Sequence, residues 1–203
     1  MKPEDILPTY ERQARAFDIA RTKTLIERRW LDRMLGYAPH YHGRRRVLDL
    51  GCGSGRPISQ YLYDRRCEVT GVDGAASMIS LFQMNLPRAR AIHADMRGLD
   101  LGEDFDAILA WDSLFHLTGE DQKRMFGTIN KHLAPGGVIL FTSGPDEGEA
   151  VGRIENETVY HASLAPEVYT AVMARYKIDV ITFVPEDPDC EGHSVWLARK
   201  HVD

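Results

Sequence analysis

The sequence predicts an α/β protein: a doubly wound sheet of seven strands, mostly parallel with an antiparallel final strand, and helices on both faces. Three observations predict it. Short apolar runs alternate with helix-length amphipathic stretches from Val47 to Thr142, the pattern of a parallel sheet crossed by helices. The first run, Val47-Leu48-Asp49-Leu50, stops at glycines in alternate positions, Gly51, Gly53 and Gly55. A strand therefore leaves the sheet through a tight loop into a helix. Near the C-terminus two further apolar runs are separated by PEDPDCEG, which permits an antiparallel pair at the sheet edge.

Each element has its own signal. From Tyr10 to Leu35, Tyr10, Ala14, Phe17, Ala20, Thr24 and Ile26, then Trp30, Leu31, Met34 and Leu35, recur at helical steps until Gly36 and Pro39. One helix or two would satisfy this pattern, and residues 1–46 are expected to cap the sheet edge or form a lid over a ligand. Strands follow at Val47–Leu50, Glu68–Val72, Ala89–Ala94 and Phe105–Trp111, with helices at Ile58–Asp64 and Ala75–Asn85. Thr118, with Asp121 three residues on, should cap a helix over Glu120–Leu133 whose buried stripe is Met125, Phe126, Ile129 and Leu133. Pro135-Gly136-Gly137 should end it and turn into a strand at Val138–Thr142. Gly144–Ala165 is polar and reads as an excursion or hairpin. Pro166–Tyr176 reads as a helix with Ser163 as a stand-in cap, and Ile178–Val184 and His193–Ala198 as the last strands.

The 203 residues, 43% of them hydrophobic, suit one domain over 1–203. Net charge is -5, yet Met1–Arg46 carries 11 Lys/Arg against 6 Asp/Glu, with a peak at Arg44-Arg45-Arg46. No aromatic-rich basic motif accompanies that peak, so a solvated entry to the first strand is expected and no nucleic-acid partner. Cys52, Cys67 and Cys190 form neither a paired framework nor a metal motif. Reduced thiols, the polar start MKPEDILPTY and the lack of a membrane-length apolar run suggest a cytoplasmic protein without a membrane partner. No metal site and no particular oligomeric state is indicated.

In a parallel sheet, ligands bind at the carboxyl ends of the strands. That rule gathers Gly51–Gly55, Asp73, Asp95 and Trp111-Asp112 into one place. A dinucleotide loop needs glycine where this chain has Arg56, and no GK[ST] follows for a phosphate loop. The segment DLGCGSG instead resembles the first motif of the class I S-adenosylmethionine (SAM) dependent methyltransferases, which have a Rossmann-like sheet. GVD at Gly71–Asp73, ADM at Ala94–Met96, FDAILAWDSLFHL at Phe105–Leu117 and LAPGGVILF at Leu133–Phe141 resemble the later motifs in order. YHASLAPEVY is similar to a small bacterial branch of that family.

The resemblance implies SAM as cofactor and S-adenosylhomocysteine as product. It implies that Asp73 holds the ribose hydroxyls and that Asp95 and Met96 meet adenine. It places Asp49 near the methionine ammonium, and Gly51, Cys52, Gly53, Gly55, Gly74, Met78 and Trp111 around the cofactor. Tyr10 and Arg21 would face it from the N-terminal cap. A carboxylate can accept both hydrogen bonds of a ribose diol, which suits Asp73. For the reaction, Asp112 and His116 are four apart and would share a face of a helical turn beside the methyl group. His116 is the candidate general base or substrate orienter, with Asp112 positioning His116 or the substrate. Strand-end capping is the plain alternative for each Asp, and loop packing for His116. The acidic excursion, with Glu147, Glu149, Glu155 and Glu157 and closed by Tyr160-His161, reads as a solvated flap or as a rim favouring a neutral or cationic acceptor. The expected function is methyl transfer to a small molecule. A protein or RNA methyltransferase and a non-catalytic SAM-binding regulator are the alternatives.

Overall fold

The computed structural model describes residues 2–40, 43–154 and 157–202, with only the backbone of Ile154. Helices α1 (Ile6–Ala20) and α2 (Arg28–Tyr37) precede the sheet. Then come β1 (Arg46–Leu50), α3 (Ile58–Asp64), β2 (Glu68–Asp73), α4 (Ala76–Asn85), β3 (Arg90–His93), β4 (Phe105–Ala110) and α5 (Gly119–His132). The chain finishes with β5 (Leu133–Ser143), β6 (Gly148–Ile154), β7 (Glu157–Ser163), α6 (Pro166–Arg175), β8 (Ile178–Asp187) and β9 (His193–Lys200).

Seven strands form one sheet in the order β3-β2-β1-β4-β5-β9-β8, and β6 and β7 form a separate antiparallel hairpin. β1 to β5 pair in parallel, while β9 pairs antiparallel with both β5 and β8. The antiparallel strand thus lies inside the sheet, and β8 takes the edge running with the other five. The strand alternation sets both faces. Val47, Ala107, Leu109, Val138 and Leu140 meet Trp30, Leu31, Leu62 and Phe82 from α2, α3 and α4. Leu48, Ile108, Ile139 and Phe141 meet Phe126, Ile129, Tyr169 and Met173 from α5 and α6. Helix α1 lies against neither face. Its Ala14 packs on Ala75 and Met78 of the α4 start, and its Ile6 on Val159, Tyr160 and Ala162 of the hairpin.

Several boundaries differ from expectation, for local reasons. The N-terminal pattern divides into two helices, because Arg21 leaves helical geometry and residues 21–27 turn the chain. Gly36 stays within α2, where an added Cβ would meet nothing within 4 Å. Pro135-Gly136-Gly137 does not precede β5 but lies inside it: Phe105 pairs with Leu133 and Ala107 with Val138, so the intervening residues bulge. Ser163 does not cap α6; its Oγ accepts the Gly144 N–H at 2.7 Å and ties the two ends of the hairpin excursion. Thr118 does cap α5, accepting the Asp121 N–H at 3.1 Å.

Candidate functional site

A cavity partly open to solvent sits at the carboxyl ends of β1, β2 and β4 beneath α1. All fifteen predicted site residues line it: Tyr10, Arg21, Asp49, Gly51, Cys52, Gly53, Gly55, Asp73, Gly74, Met78, Asp95, Met96, Trp111, Asp112 and His116. The sheet explains the convergence, since successive parallel strands deliver their last residues to one edge.

The loop after β1 is shaped by left-handed backbone at Gly51 (φ 76°), Gly53 (φ 52°) and Gly55 (φ 78°). At Gly51 a Cβ would stand 2.4 Å from Ser113 Cβ, so the loop backbone lies directly against the segment after β4. Asp73 braces this loop: its two carboxylate oxygens accept the Gly53 N–H at 2.9 Å and the Ala75 N–H at 2.8 Å. Burial raises the Asp73 pKa against the lowering effect of those bonds. Asp49 is buried outright and, among the described residues, accepts only the Ser59 hydroxyl, at 2.6 Å. Desolvation pushes it up to about 7, and among the described residues no cation pairs with it. Asp95 is held by the Arg97 guanidinium and backbone N–H, which lower its pKa.

Helix α1 is tied down at three points. Asp18 accepts the Ser54 hydroxyl of the glycine loop at 2.5 Å. Glu11 accepts both the Ser77 N–H (3.0 Å) and its hydroxyl (2.7 Å) at the start of α4. Glu157 of β7 accepts from Arg12 at 2.5 Å and Gln13 at 2.7 Å. Gly74 lets α1 approach, since a Cβ there would lie 2.5 Å from Leu7. Just past α1, Arg21 donates to Glu27 Oε1 at 2.7 Å, while the buried Glu27 Oε2 has no partner among the described residues. The buried indole N–H of Trp111 is likewise unpaired, a donor with its desolvation uncompensated.

Beyond β4 the expected helical turn does not form around Asp112. That residue adopts φ 50°, and a short 3-10 turn covers Leu114–His116, so Asp112 and His116 do not share a helix face. Asp112 pairs instead with His193 of β9, whose Nε2 lies 3.1 Å from its carboxylate, and its N–H donates to Thr142 Oγ1 at 2.9 Å. The proton positions follow from the partners. His193 Nδ1 faces the Cys190 carbonyl at 2.7 Å and Nε2 faces Asp112, so both nitrogens donate and the ring is an imidazolium. Its pKa rises accordingly to about 9, through the Asp112 hydrogen bond first. His116 is the opposite case. Its Nδ1 donates to the Tyr160 carbonyl at 3.0 Å and its Nε2 accepts the Tyr10 hydroxyl at 2.8 Å. Burial lowers it to about 4, so the ring is neutral. Tyr10 is raised by burial, then by Asp112 and Asp73.

Sequence reasoning did not find His193, Glu27, Ser54, Ser59 or Ser113, whose hydroxyl donates to the Leu50 carbonyl at 2.7 Å. Only Ser54, inside the glycine loop, and Ser113, inside the segment after β4, carried a local signal. Glu155 of the acidic excursion lies outside the described residues. Among the described residues, no three His, Cys, Asp or Glu side chains gather as a metal site, and no helix is long and apolar enough to cross a membrane.

A glycine loop after β1, acidic residues at the end of β2 and just beyond β3, and a sheet with its reversed strand next to the edge define the class I methyltransferase fold. Residues 47–137, a little under half of the chain, match the methyltransferase-domain family. It is 33% identical over 121 residues to the malonyl-[acyl-carrier protein] O-methyltransferase of Enterobacter lignolyticus, a match covering 58% of this chain and 46% of that one. It is 31% identical over 96 residues to the dTDP-4-amino-2,3,4,6-tetradeoxy-D-glucose N,N-dimethyltransferase of Saccharopolyspora spinosa, covering 46% and 38%. The chain thus spans less than half the length of these curated relatives. The SAM-bound amino pentose methyltransferase CalS10 of Micromonospora echinaspora superposes with a TM-score of 0.71 at 21% identity, over 95% of this chain and 96% of that one.

Proposed function

We propose that this chain is a SAM-dependent methyltransferase acting on a small-molecule acceptor. The observation that carries the reading is the cavity that joins the glycine loop, Asp49, Asp73 and Asp95 beneath α1. The residues fit the cofactor. The loop leaves open space beside Gly53, where a Cβ would meet nothing within 4 Å, and Asp49 is a buried carboxyl with no ion-pair partner among the described residues. Trp111 offers an unpaired N–H. On this reading Asp73 takes the ribose hydroxyls with its remaining lone pairs, and Asp95 and Met96 meet adenine. Asp49 faces the methionine ammonium, with Tyr10, Arg21 and Trp111 along that end. Cys52, Gly53, Gly55, Gly74 and Met78 complete the walls.

Bound there, SAM supplies an electrophilic methyl group on a sulfonium. The chain's own part is alignment and exclusion of water. Helix α1 closes the cavity, with residues 1–46 as a lid, and the 144–165 hairpin forms a rim over the acceptor side. His116 uses both nitrogens on Tyr160 and Tyr10, so its role is to orient the Tyr10 hydroxyl. Asp112, locked to His193, presents a fixed carboxylate to the acceptor. The reading is of a single domain at work in the cytoplasm.

Calorimetry with SAM against NAD tests the cofactor: SAM should bind and NAD should not. Labelled SAM offered to a metabolite pool, to RNA and to protein tests the acceptor. Label in small molecules supports the proposal. Label in a macromolecule, or firm SAM binding with no transfer, replaces it with one of the two alternatives.

A further inference from the structure

Arg21 and Glu27 form a charged pair at the cofactor cavity. Arg21 directly follows α1 and lines the cavity, while Glu27 directly precedes α2 and is buried. Arg21 Nη2 donates to Glu27 Oε1 at 2.7 Å, the one hydrogen bond of that guanidinium among the described residues. Glu27 Oε2 has no partner among them. As a device for stability the pair is poor. Desolvation raises the Glu27 pKa, and Arg21 does not offset the rise, so ionising this carboxyl costs the fold stability. The same cavity holds the opposite case, Asp49, a buried carboxyl with no ion-pair partner among the described residues. Of the arginines on the wall, Arg97 is held by Asp95, and Arg21 is the one whose charge reaches Asp49.

Accepting the proposed function, we infer that Glu27 is a positioning residue for the amino-acid end of the cofactor: it holds Arg21 ready for the methionine carboxylate and keeps that guanidinium off Asp49. That end of the cofactor is a zwitterion. Its site needs a cation and an anion that do not neutralise each other before the ligand arrives. Arg21 and Asp49 share one cavity, and without a third group each is the obvious partner of the other. Glu27 removes that conflict from behind. It occupies one of the five guanidinium N–H groups and leaves the others for a carboxylate. Asp49 then stays open for the ammonium. Coulomb's law alone predicts the reverse effect, since the charge of Glu27 weakens the pull of Arg21 on an anion. Placement and plain charge therefore give opposite signs when Glu27 is removed. The charges acting on Glu27 are those of Arg21 and Asp112, and its own field reaches His193 and Cys190. Asp49 meets the Ser59 hydroxyl and the charges of Asp73 and Arg21.

The test compares two thioether ligands by calorimetry on the full chain: S-adenosylhomocysteine, and 5′-methylthioadenosine, which lacks the amino-acid end. The variants are Glu27→Leu, Glu27→Gln, which keeps an acceptor for Arg21, and Glu27→Leu combined with Arg21→Met. Glu27→Leu should weaken S-adenosylhomocysteine about tenfold or more and change 5′-methylthioadenosine by less than about twofold. Glu27→Gln should lose less. On the Arg21→Met background the effect of Glu27→Leu should disappear, because it acts through Arg21. Carboxyl ¹³C titration of the ligand-free Glu27→Leu variant should show Asp49 brought down from about 7 as Arg21 turns to it. S-adenosylhomocysteine bound as tightly or more tightly in both Glu27 variants overturns the inference. So do equal losses for the two ligands, which would make Glu27 a support of the fold alone. Wild type that binds neither ligand overturns the proposed function itself, and this inference with it.

Discussion

Asp49→Asn separates a carboxylate kept for its ligand from one kept for the fold. Asp49 is buried, carries no cationic partner among the described residues and has its pKa raised from 3.8 to about 7, chiefly by desolvation. The unfolded chain releases this proton near pH 4, whereas the folded chain holds it up to about pH 7. Stability therefore falls as pH rises from 4 to 7, and the penalty is complete above 7. A rise of that size sets the ceiling of the penalty at roughly 4 kcal/mol. Asparagine keeps the acceptor for Ser59 but adds a buried amide donor, at a cost of about 1–3 kcal/mol. The ligand-free variant should thus be more stable at pH 8 by about 1–3 kcal/mol, or roughly 3–10 °C in melting temperature for a chain of this size. At pH 5 the wild-type penalty shrinks to below about 2 kcal/mol, and the gain should vanish. SAM affinity should move the other way, weakening about a hundredfold as the ammonium loses its counter-charge. Thermal unfolding at both pH values, with calorimetry at pH 8, reads both effects. A variant that melts no higher than wild type at pH 8 and binds SAM as tightly would refute the argument.

Three further outcomes are expected. Gly51→Ala, strained at φ 76° and 2.4 Å from Ser113 Cβ, should destabilise by about 2–4 kcal/mol and abolish SAM binding, by thermal shift and calorimetry. Asp112→Asn should bring the His193 pKa down from about 9 toward the ordinary value, by NMR titration of its ring protons. Because the wild-type pair is charged at lower pH and lost through 9, the stability gap between the two proteins should close above that pH. Glu157→Gln removes the carboxylate that Arg12 and Gln13 hold. Solvent screens this exposed pair, so the melting temperature should barely move, while SAM release in stopped-flow should accelerate severalfold as α1 loosens.

The fold and the cofactor end of the site were legible in the sequence because they are local. A strand, its glycine loop and the following helix occupy one stretch from Val47 to Asp64, and each acidic residue directly follows an apolar run. Chain order and the parallel-sheet rule then suffice to bring Gly51, Asp73 and Asp95 together. Thr118 was legible for the same reason, since its cap partner is three residues away. What was not legible is what depends on contacts between distant segments. Nothing in Asp112-Ser113-Leu114-Phe115-His116 announces that the aspartate will turn left-handed and bind a histidine 81 residues further on. Nor does the run Val138–Thr142 reveal that the strand already begins at Leu133, because a bulge is a property of the pairing with β4.

The three histidines show why residue type and position were too little to tell which ring keeps a lone pair. All three are near Asp112, and all three begin from the same ordinary pKa. His116 stands closest in sequence to the cofactor strand, but a carbonyl fixes its tautomer and a phenol occupies its remaining lone pair. A carboxylate and a carbonyl make donors of both His193 nitrogens, so that ring carries a charge and has no pair to offer. His161 packs by its ring faces and edges against Phe115, His116 and Gly152, and its nitrogens have no hydrogen-bond partner among the described residues. Basicity at this site is thus decided by which polar groups each ring meets. Those groups come from β7, α1, the turn after β4 and the segment before β9, which only the completed fold sets beside one another.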